Sequence, residues 1–405
     1  MKTRSRSLDK IYLPAGFSFS AACAGIKASG RPDLALVEAC PGTSAAAVFT
    51  KNRVVAAPVV VGRASLTASR GRVRAVIVNS GNANCATGKA GLQACQRVCS
   101  QLAGLLGTPS ATVFPSSTGI IGVPLPVKKI LSGLPALIGT RAATKKGAAD
   151  FARAIMTTDT RPKLASTRFR SGEAFVNVLG IAKGAGMIHP QLATMLVYLF
   201  TDIAAGPAEL RSILRHGSDQ TFNCISIDGD TSTNDTVLLL ASGRSGVRLA
   251  SAAARASFST ALLQVCQSLA EQIVTDGEGV RHVIQLSVEQ ARNRQEALQV
   301  ARTIAHSLLV KTAWAGADPN WGRILAAVGR SGIAVNPERV TIVIGDQTVC
   351  RNGTGCAFDE KRAHEALGRP KCAIRVLLAR GRSSAVFLTA DLTAEYVRIN
   401  ADYST

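Results

Sequence analysis

Aromatic residues are scarce: Phe, Trp and Tyr together make up 4% of the 405 residues. Surfaces that track nucleic acid interleave aromatics with basic residues, so this shortage argues against nucleic acid as the partner of a strongly basic chain. Acidic residues are also few, 26 against 47 Lys and Arg, and the formal net charge is +21. The excess is spread along the chain, with its densest run at Lys2, Arg4 and Arg6, and reads as a surface that attracts carboxylates. Histidine occurs five times, never at H-x-x-x-H spacing, and the ten cysteines form no C-x-x-C pair. A zinc site is therefore not expected. Cys266 lies in the apolar run ALLQVCQSLA, the setting of a reduced core thiol. No apolar run has the length of a membrane span, and none follows the basic start as a secretory leader would. A cytoplasmic protein without membrane contact is the expectation.

What is present is globular. Hydrophobic residues make up 47% of the chain, and its length suffices for a sizeable core. Strands and helices alternate. β-Branched and apolar runs predict strands at 73–79, 174–182, 195–202, 236–240, 340–345, 374–379 and 385–390. Helical spacing predicts helices at 90–106, 252–274 and 288–313. An α/β layered architecture follows from this order. No internal repeat and no sharp domain boundary is visible.

The segment KGAGMIHPQLATML, residues 183–196, holds two glycines and a proline between two predicted strands, which describes a tight irregular connection. Gly184 and Gly186 suggest a dinucleotide loop, but His189 occupies the place of the third glycine. Thr194 opens the apolar strand that follows; on composition alone it is a structural β-former. Asp228-Gly229-Asp230 opens like a calcium loop, yet Thr233 and Leu239 stand where Gly and Glu are required, so a structural turn is expected. For DPNWGR at 318–323, packing and turn formation suffice.

The same segment resembles the self-cleavage region of the ArgJ family, the ornithine acetyltransferases (glutamate N-acetyltransferases). STGIIG at 117–122, AIMTTDTRPK at 154–163, DGDTSTNDT at 228–236, ADPNWGRI at 317–324 and RINADYST at 398–405 extend the resemblance from about Gly16 to the end. It implies an α-β-β-α sandwich of the DmpA/ArgJ-like type. It also implies self-cleavage between Ala193 and Thr194, giving fragments 1–193 and 194–405 that share one core and pair as an α₂β₂ heterotetramer. Thr194 is then the nucleophile, with its freed α-amine as base. The pKa of such an amine is about 7.7–8.0, so part of it is unprotonated near neutral pH, and no histidine is needed.

Thr118 and Gly119 are implied as the oxyanion hole. Thr157, Lys183, Thr194, Glu278, Asn400 and Thr405 are implied to bind N-acetylornithine and glutamate. Lys183 suits a carboxylate and Glu278 an ammonium. No cofactor is implied; acetyl-CoA as a second acetyl donor stays open. The chain departs from the family pattern at Cys85-Ala86, Lys89, His189 and His282. Two other readings remain: an amidohydrolase or aminopeptidase of related fold, and a basic nucleic-acid-binding protein.

Overall fold

The structure, a computed structural model, describes residues 10–188 and 195–402. The chain begins with strands β1 (Phe17–Ala22), β2 (Leu34–Ala39) and β3 (Ser44–Phe49). Helix α1 (Ala57–Ala68), β4 (Ala75–Asn82), α2 (Gly88–Leu105) and β5 (Val113–Ile120) follow, then α3 (Val127–Thr140) and α4 (Lys145–Ala154). The middle of the chain supplies β6 (Lys163–Ser171), β7 (Ala174–Lys183), β8 (Leu196–Thr201), α5 (Pro207–Gln220), β9 (Thr236–Ala241) and α6 (Ala252–Thr275).

These elements build four layers. One sheet has the order β1-β2-β4-β5, antiparallel except for the parallel β4–β5 pair. The second has the order β3-β9-β8-β7-β6, in which only β8 and β9 run parallel. Side chains alternate between the faces of a strand, and β8 shows the consequence. Leu196, Tyr198 and Phe200 face the first sheet, where Phe19, Val37 and Val76 join them, together with Phe151 of α4. Val197 and Leu199 face α5 and α6, against Leu214, Phe258, Leu262 and Leu269. On the first sheet Leu34, Leu36 and Ile77 turn outward onto α2 and α3. The α-β-β-α sandwich expected from the resemblance is what forms. Because β8 is buried on both faces, its sequence LVYLFT is apolar without interruption.

The rest of the chain adds β10 (Val283–Ala291), α7 (Arg294–Ala305), α8 (Leu308–Ala315), α9 (Trp321–Gly329), β11 (Thr341–Ile344), β12 (Gln347–Arg351), β13 (Thr354–Gly355), α10 (Glu360–Leu367), β14 (Lys371–Leu377), β15 (Ser383–Ala390) and α11 (Ala394–Asp402). Its six strands form a third sheet, β13-β12-β11-β14-β10-β15. One face packs on α7 to α10 through Ile284, Leu286, Val300, Ile304, Trp314 and Ile374. Along β14 exposed and buried residues alternate, so the other face meets solvent.

The single helix expected at 288–313 is a correction. That stretch holds the end of β10, then α7 and α8. Ile284, Leu286 and Val288 are buried at every second position, the period of a strand. Asn293 then accepts the Glu296 N–H at 2.9 Å and starts α7 by capping it. Among the described residues no helix is long and apolar enough to cross a membrane.

Tyr198 is fully buried, and its hydroxyl lies beside that of Ser116, with neither making a hydrogen bond of good geometry among the described residues. An unpaired buried hydroxyl is a net loss of about 1–3 kcal/mol. Tyr198→Phe should therefore leave stability unchanged or raise it by about 1 kcal/mol in urea unfolding. A loss above about 2 kcal/mol would show that the hydroxyl is satisfied.

Candidate active site

The site is built where strand ends from both sheets meet. β4 and β5 run parallel and finish together, with Gly81 in register with Gly119. A Cβ on Gly119 would lie 2.3 Å from the Gly81 carbonyl carbon, and φ is +133° there, so only glycine fits. A ladder of amides fixes this turn. Ser117 Oγ donates to Asn79 Oδ1 (2.6 Å), and Asn79 Nδ2 donates to the Asn82 carbonyl (2.8 Å). From the second sheet, Asn234 Nδ2 donates to the carbonyls of Ala83 (2.7 Å) and Ser117 (2.9 Å).

β7 delivers Lys183 to the same place. Its ammonium is buried and donates to Thr118 Oγ1 at 3.1 Å, which leaves the Thr118 hydroxyl hydrogen free for another acceptor. Burial lowers the Lys183 pKa, opposed by the negative charges of Asp159, Asp235 and Glu278. Asp159 is the centre of a buried ionic network. It accepts from Lys163 Nζ (2.6 Å), from the Gly184 N–H (2.7 Å) and, at its other oxygen, from the Thr157 N–H (3.0 Å). Lys163 also donates to Asp276 (2.5 Å). Burial alone would raise the Asp159 pKa; the charges of Lys163 and Lys183 overcome it and bring it to about 2.

Glu278 reaches the site from the turn after α6. Its N–H donates to the Ala185 carbonyl (2.8 Å), and its carboxylate fills the space a side chain at Gly186 would need, 2.5 Å from an ideal Cβ. Asn400, on α11, donates to Glu278 Oε2 at 2.9 Å. Thr118, Gly119, Thr157, Lys183, Glu278 and Asn400 are thus brought together by direct contacts or through Asp159 and residues 184–186. Ala193, Thr194 and Thr405, together with the departure at His189, lie outside the described residues.

Two acids hold the ends of the segment between β7 and β8. Asp228 accepts from the N–H groups of Met187 (2.6 Å) and Ile188 (2.9 Å), and from the Tyr396 hydroxyl (3.3 Å). Asp235 accepts from the Met195 N–H (2.9 Å). The turn expected at DGDTSTNDT is therefore a clamp. Lys27 is a further addition. Its stem lies over Gly81, and its ammonium donates to the carbonyls of Pro32 (2.9 Å) and Ala154 (3.3 Å). Burial lowers its pKa to about 8, against the pull of Asp33.

A family model described as the ArgJ family matches residues 18–405. The chain belongs to the ArgJ family. It is 46% identical over 406 residues to the arginine biosynthesis bifunctional protein ArgJ of Methylococcus capsulatus, covering 99% of this chain and 98% of that one. It is 41% identical to the protein of the same name from Pseudomonas syringae pv. tomato, covering 98% of each. A solved ornithine acetyltransferase from Mycobacterium tuberculosis, complexed with ornithine, is 40% identical over 45% of this chain and 94% of its own, with a TM-score of 0.40.

Cys85-Ala86, Lys89 and His282, expected to depart from the family pattern, lie among the described residues. Cys85 is buried against Ala56 and Ala83, while Ala86 is exposed with φ +56°. Lys89 lies exposed in the first turn of α2, which carries no acid. His282 Nδ1 meets Asp391 Oδ2 at 3.0 Å.

Asp159, Asp276, Asp228, Asp235 and Lys27 were assigned no role from sequence. Asp159 and Asp228 sit inside motifs that were recognised, but burial of an acid leaves no periodic signal. The Asp159 carboxylate lies below its unfolded pKa of about 3.9, so its contribution to stability is complete above about pH 4 and lost as pH falls towards 2. Asp159→Asn takes a buried negative charge from Lys163 and Lys183 and should lose about 3–5 kcal/mol in urea unfolding at pH 7. The variant should also lack the wild type's decline between pH 4 and 2; equal stability at pH 7 would contradict the network's role.

Proposed function

We propose that this chain is an ornithine acetyltransferase of arginine biosynthesis that cuts itself between Ala193 and Thr194 and carries acetyl on Thr194. Acetyl passes from N2-acetyl-L-ornithine to the Thr194 hydroxyl, ornithine leaves, and the α-amine of L-glutamate takes the acetyl group. The observation that carries this reading is the contact of Lys183 with Thr118. It sets a cation suited to a substrate carboxylate beside a hydroxyl suited to an oxyanion, at the end of the strand that leads into the proposed cleavage segment.

The surrounding geometry supports the same roles. Gly119 offers its backbone beside Thr118 in the oxyanion turn. Glu278, backed by Asn400, is an acceptor for the δ-ammonium of the ornithine substrate. Thr157 and Thr405 complete the proposed substrate contacts. The fold also supports a cut that leaves the molecule whole. β7 and β8 are antiparallel neighbours, paired from Lys183–Leu196 to Val178–Thr201. In the sheet order β3-β9-β8-β7-β6, fragment 194–405 would supply the inner β9 and β8, between β3 and β7 of fragment 1–193. Two copies of each fragment form the proposed assembly, in the cytoplasm. The relatives' description as bifunctional brings acetyl-CoA forward as a second donor for glutamate.

Mixing enzyme with N-acetylornithine alone should release one ornithine per site in a burst, and turnover should begin only when glutamate is added. Continued release without glutamate would favour an amidohydrolase. Thr194→Ala should neither cut nor transfer. Thr118→Val should lower kcat by about a hundredfold or more with little change in KM, as loss of one oxyanion donor does. Acetyl-CoA with glutamate, in the absence of N-acetylornithine, separates a bifunctional enzyme from a monofunctional one.

A further inference from the structure

The candidate active site lies at one end of β8, where Lys183 pairs with Leu196. β8 and β9 run parallel from the Leu196–Thr236 pair to the Thr201–Ala241 pair. At about 3.3 Å per residue, their far ends stand about 17 Å from that site. A cavity of about 460 Å³ lies there. Its volume falls within the range of small-molecule sites, and the proposed acetyl transfer makes no use of it.

The charges on its walls are unequal. Arg72, Arg248 and Arg255 line it against one acid, Glu209. Glu209 Oε2 accepts the Gly206 N–H at 3.0 Å, and none of the four side chains forms an ion pair among the described residues. The arginines come from separate parts of the chain, and the fold places each one. Gly71, at φ +73°, packs so closely on Pro207 that a Cβ would lie 2.7 Å from its ring, which sets Arg72 beside the start of α5. Arg72 Nη1 donates to the Gly42 carbonyl and to Ser44 Oγ, each at 2.7 Å. Arg248 pairs with Ala204 in an isolated β-bridge just past β8, where the Ala204 N–H donates to the Val247 carbonyl at 2.8 Å. Arg255 Nε donates to the Leu249 carbonyl at 3.0 Å.

These contacts leave Arg72 Nη2, Arg255 Nη1 and the Arg248 fork free to donate to a ligand. All three arginines are exposed, so a ligand reaches them from solvent. Like charges gathered around one cavity repel each other until an anion enters. Arg255 adds to that repulsion, because it is the fourth residue of α6, where the helix dipole disfavours a cation. Guanidinium forks match phosphate oxygens two at a time. Three cations against one acid leave an excess of two positive charges, which a phosphate dianion balances. We propose that this cavity binds a phosphate or diphosphate group, free or carried by a small molecule, through Arg72, Arg248 and Arg255.

Isothermal titration calorimetry of the purified protein at low ionic strength tests this, with inorganic pyrophosphate, ADP and glutarate as probes. Pyrophosphate should bind once per chain, and glutarate at least about tenfold more weakly. Arg248→Gln and Arg255→Gln should each keep the wild-type circular dichroism spectrum and weaken pyrophosphate at least about tenfold. ADP binding more tightly than pyrophosphate would identify an organic carrier as the ligand. ADP binding more weakly would identify the free anion; both results fit the proposal. Absence of saturable pyrophosphate binding overturns it. So does glutarate binding as tightly as pyrophosphate, or unchanged affinity in both folded variants. Displacement of pyrophosphate by N-acetylornithine would place the anion in the candidate active site and would also overturn the proposal.

Discussion

Asp159 anchors the site between buried lysines. A carboxylate removed from water is tolerable only when opposite charge and hydrogen bonds replace the lost solvent, and Asp159 has both. Lys163 satisfies one oxygen together with the Gly184 N–H, and the Thr157 N–H satisfies the other. Through Lys163 the network reaches Asp276, two residues before Glu278. Three chain segments that carry proposed substrate contacts are therefore tied to one buried acid. The same negative charge opposes the lowering of the Lys183 pKa by burial, and Lys183 donates to Thr118.

Around this network the layers do different work. The β4–β5 pair supplies the oxyanion turn, the β7–β8 pair supplies Lys183 and the segment proposed to cut, and the third sheet carries the chain back to α11. Gly279 makes that return possible: the Thr393 hydroxyl donates to its carbonyl at 2.7 Å, and the start of α11 packs too closely to Gly279 for any side chain there. The carboxyl-terminal helix so docked brings Asn400 to Glu278.

Much of this was legible in the sequence, for physical reasons. β8 is buried on both faces, so its apolar run could be read directly. β4 and β9 were read within a few residues for the same reason. The stretch at 288–313 misled because Val288, Val300 and Ile304 satisfy helical spacing, while the breaks are marked only by single cap residues, Asn293 before α7 and Ser307 before α8. At the site, Thr118, Gly119, Lys183 and Glu278 were legible only through resemblance, since each alone is an ordinary turn or strand residue. Asp235 was read as part of a turn. Its burial arises from the pairing of β8 with β9, and no local pattern records a contact between strands joined through a helix.

The most direct measurement is the intact mass of the purified protein before and after mixing with N-acetylornithine. The expected result is two polypeptides, 1–193 and 194–405, with the second becoming heavier by one acetyl group and returning to its original mass when glutamate is added. A single unbroken chain that nevertheless transfers acetyl, or an acetyl group found on the first fragment, would contradict the account.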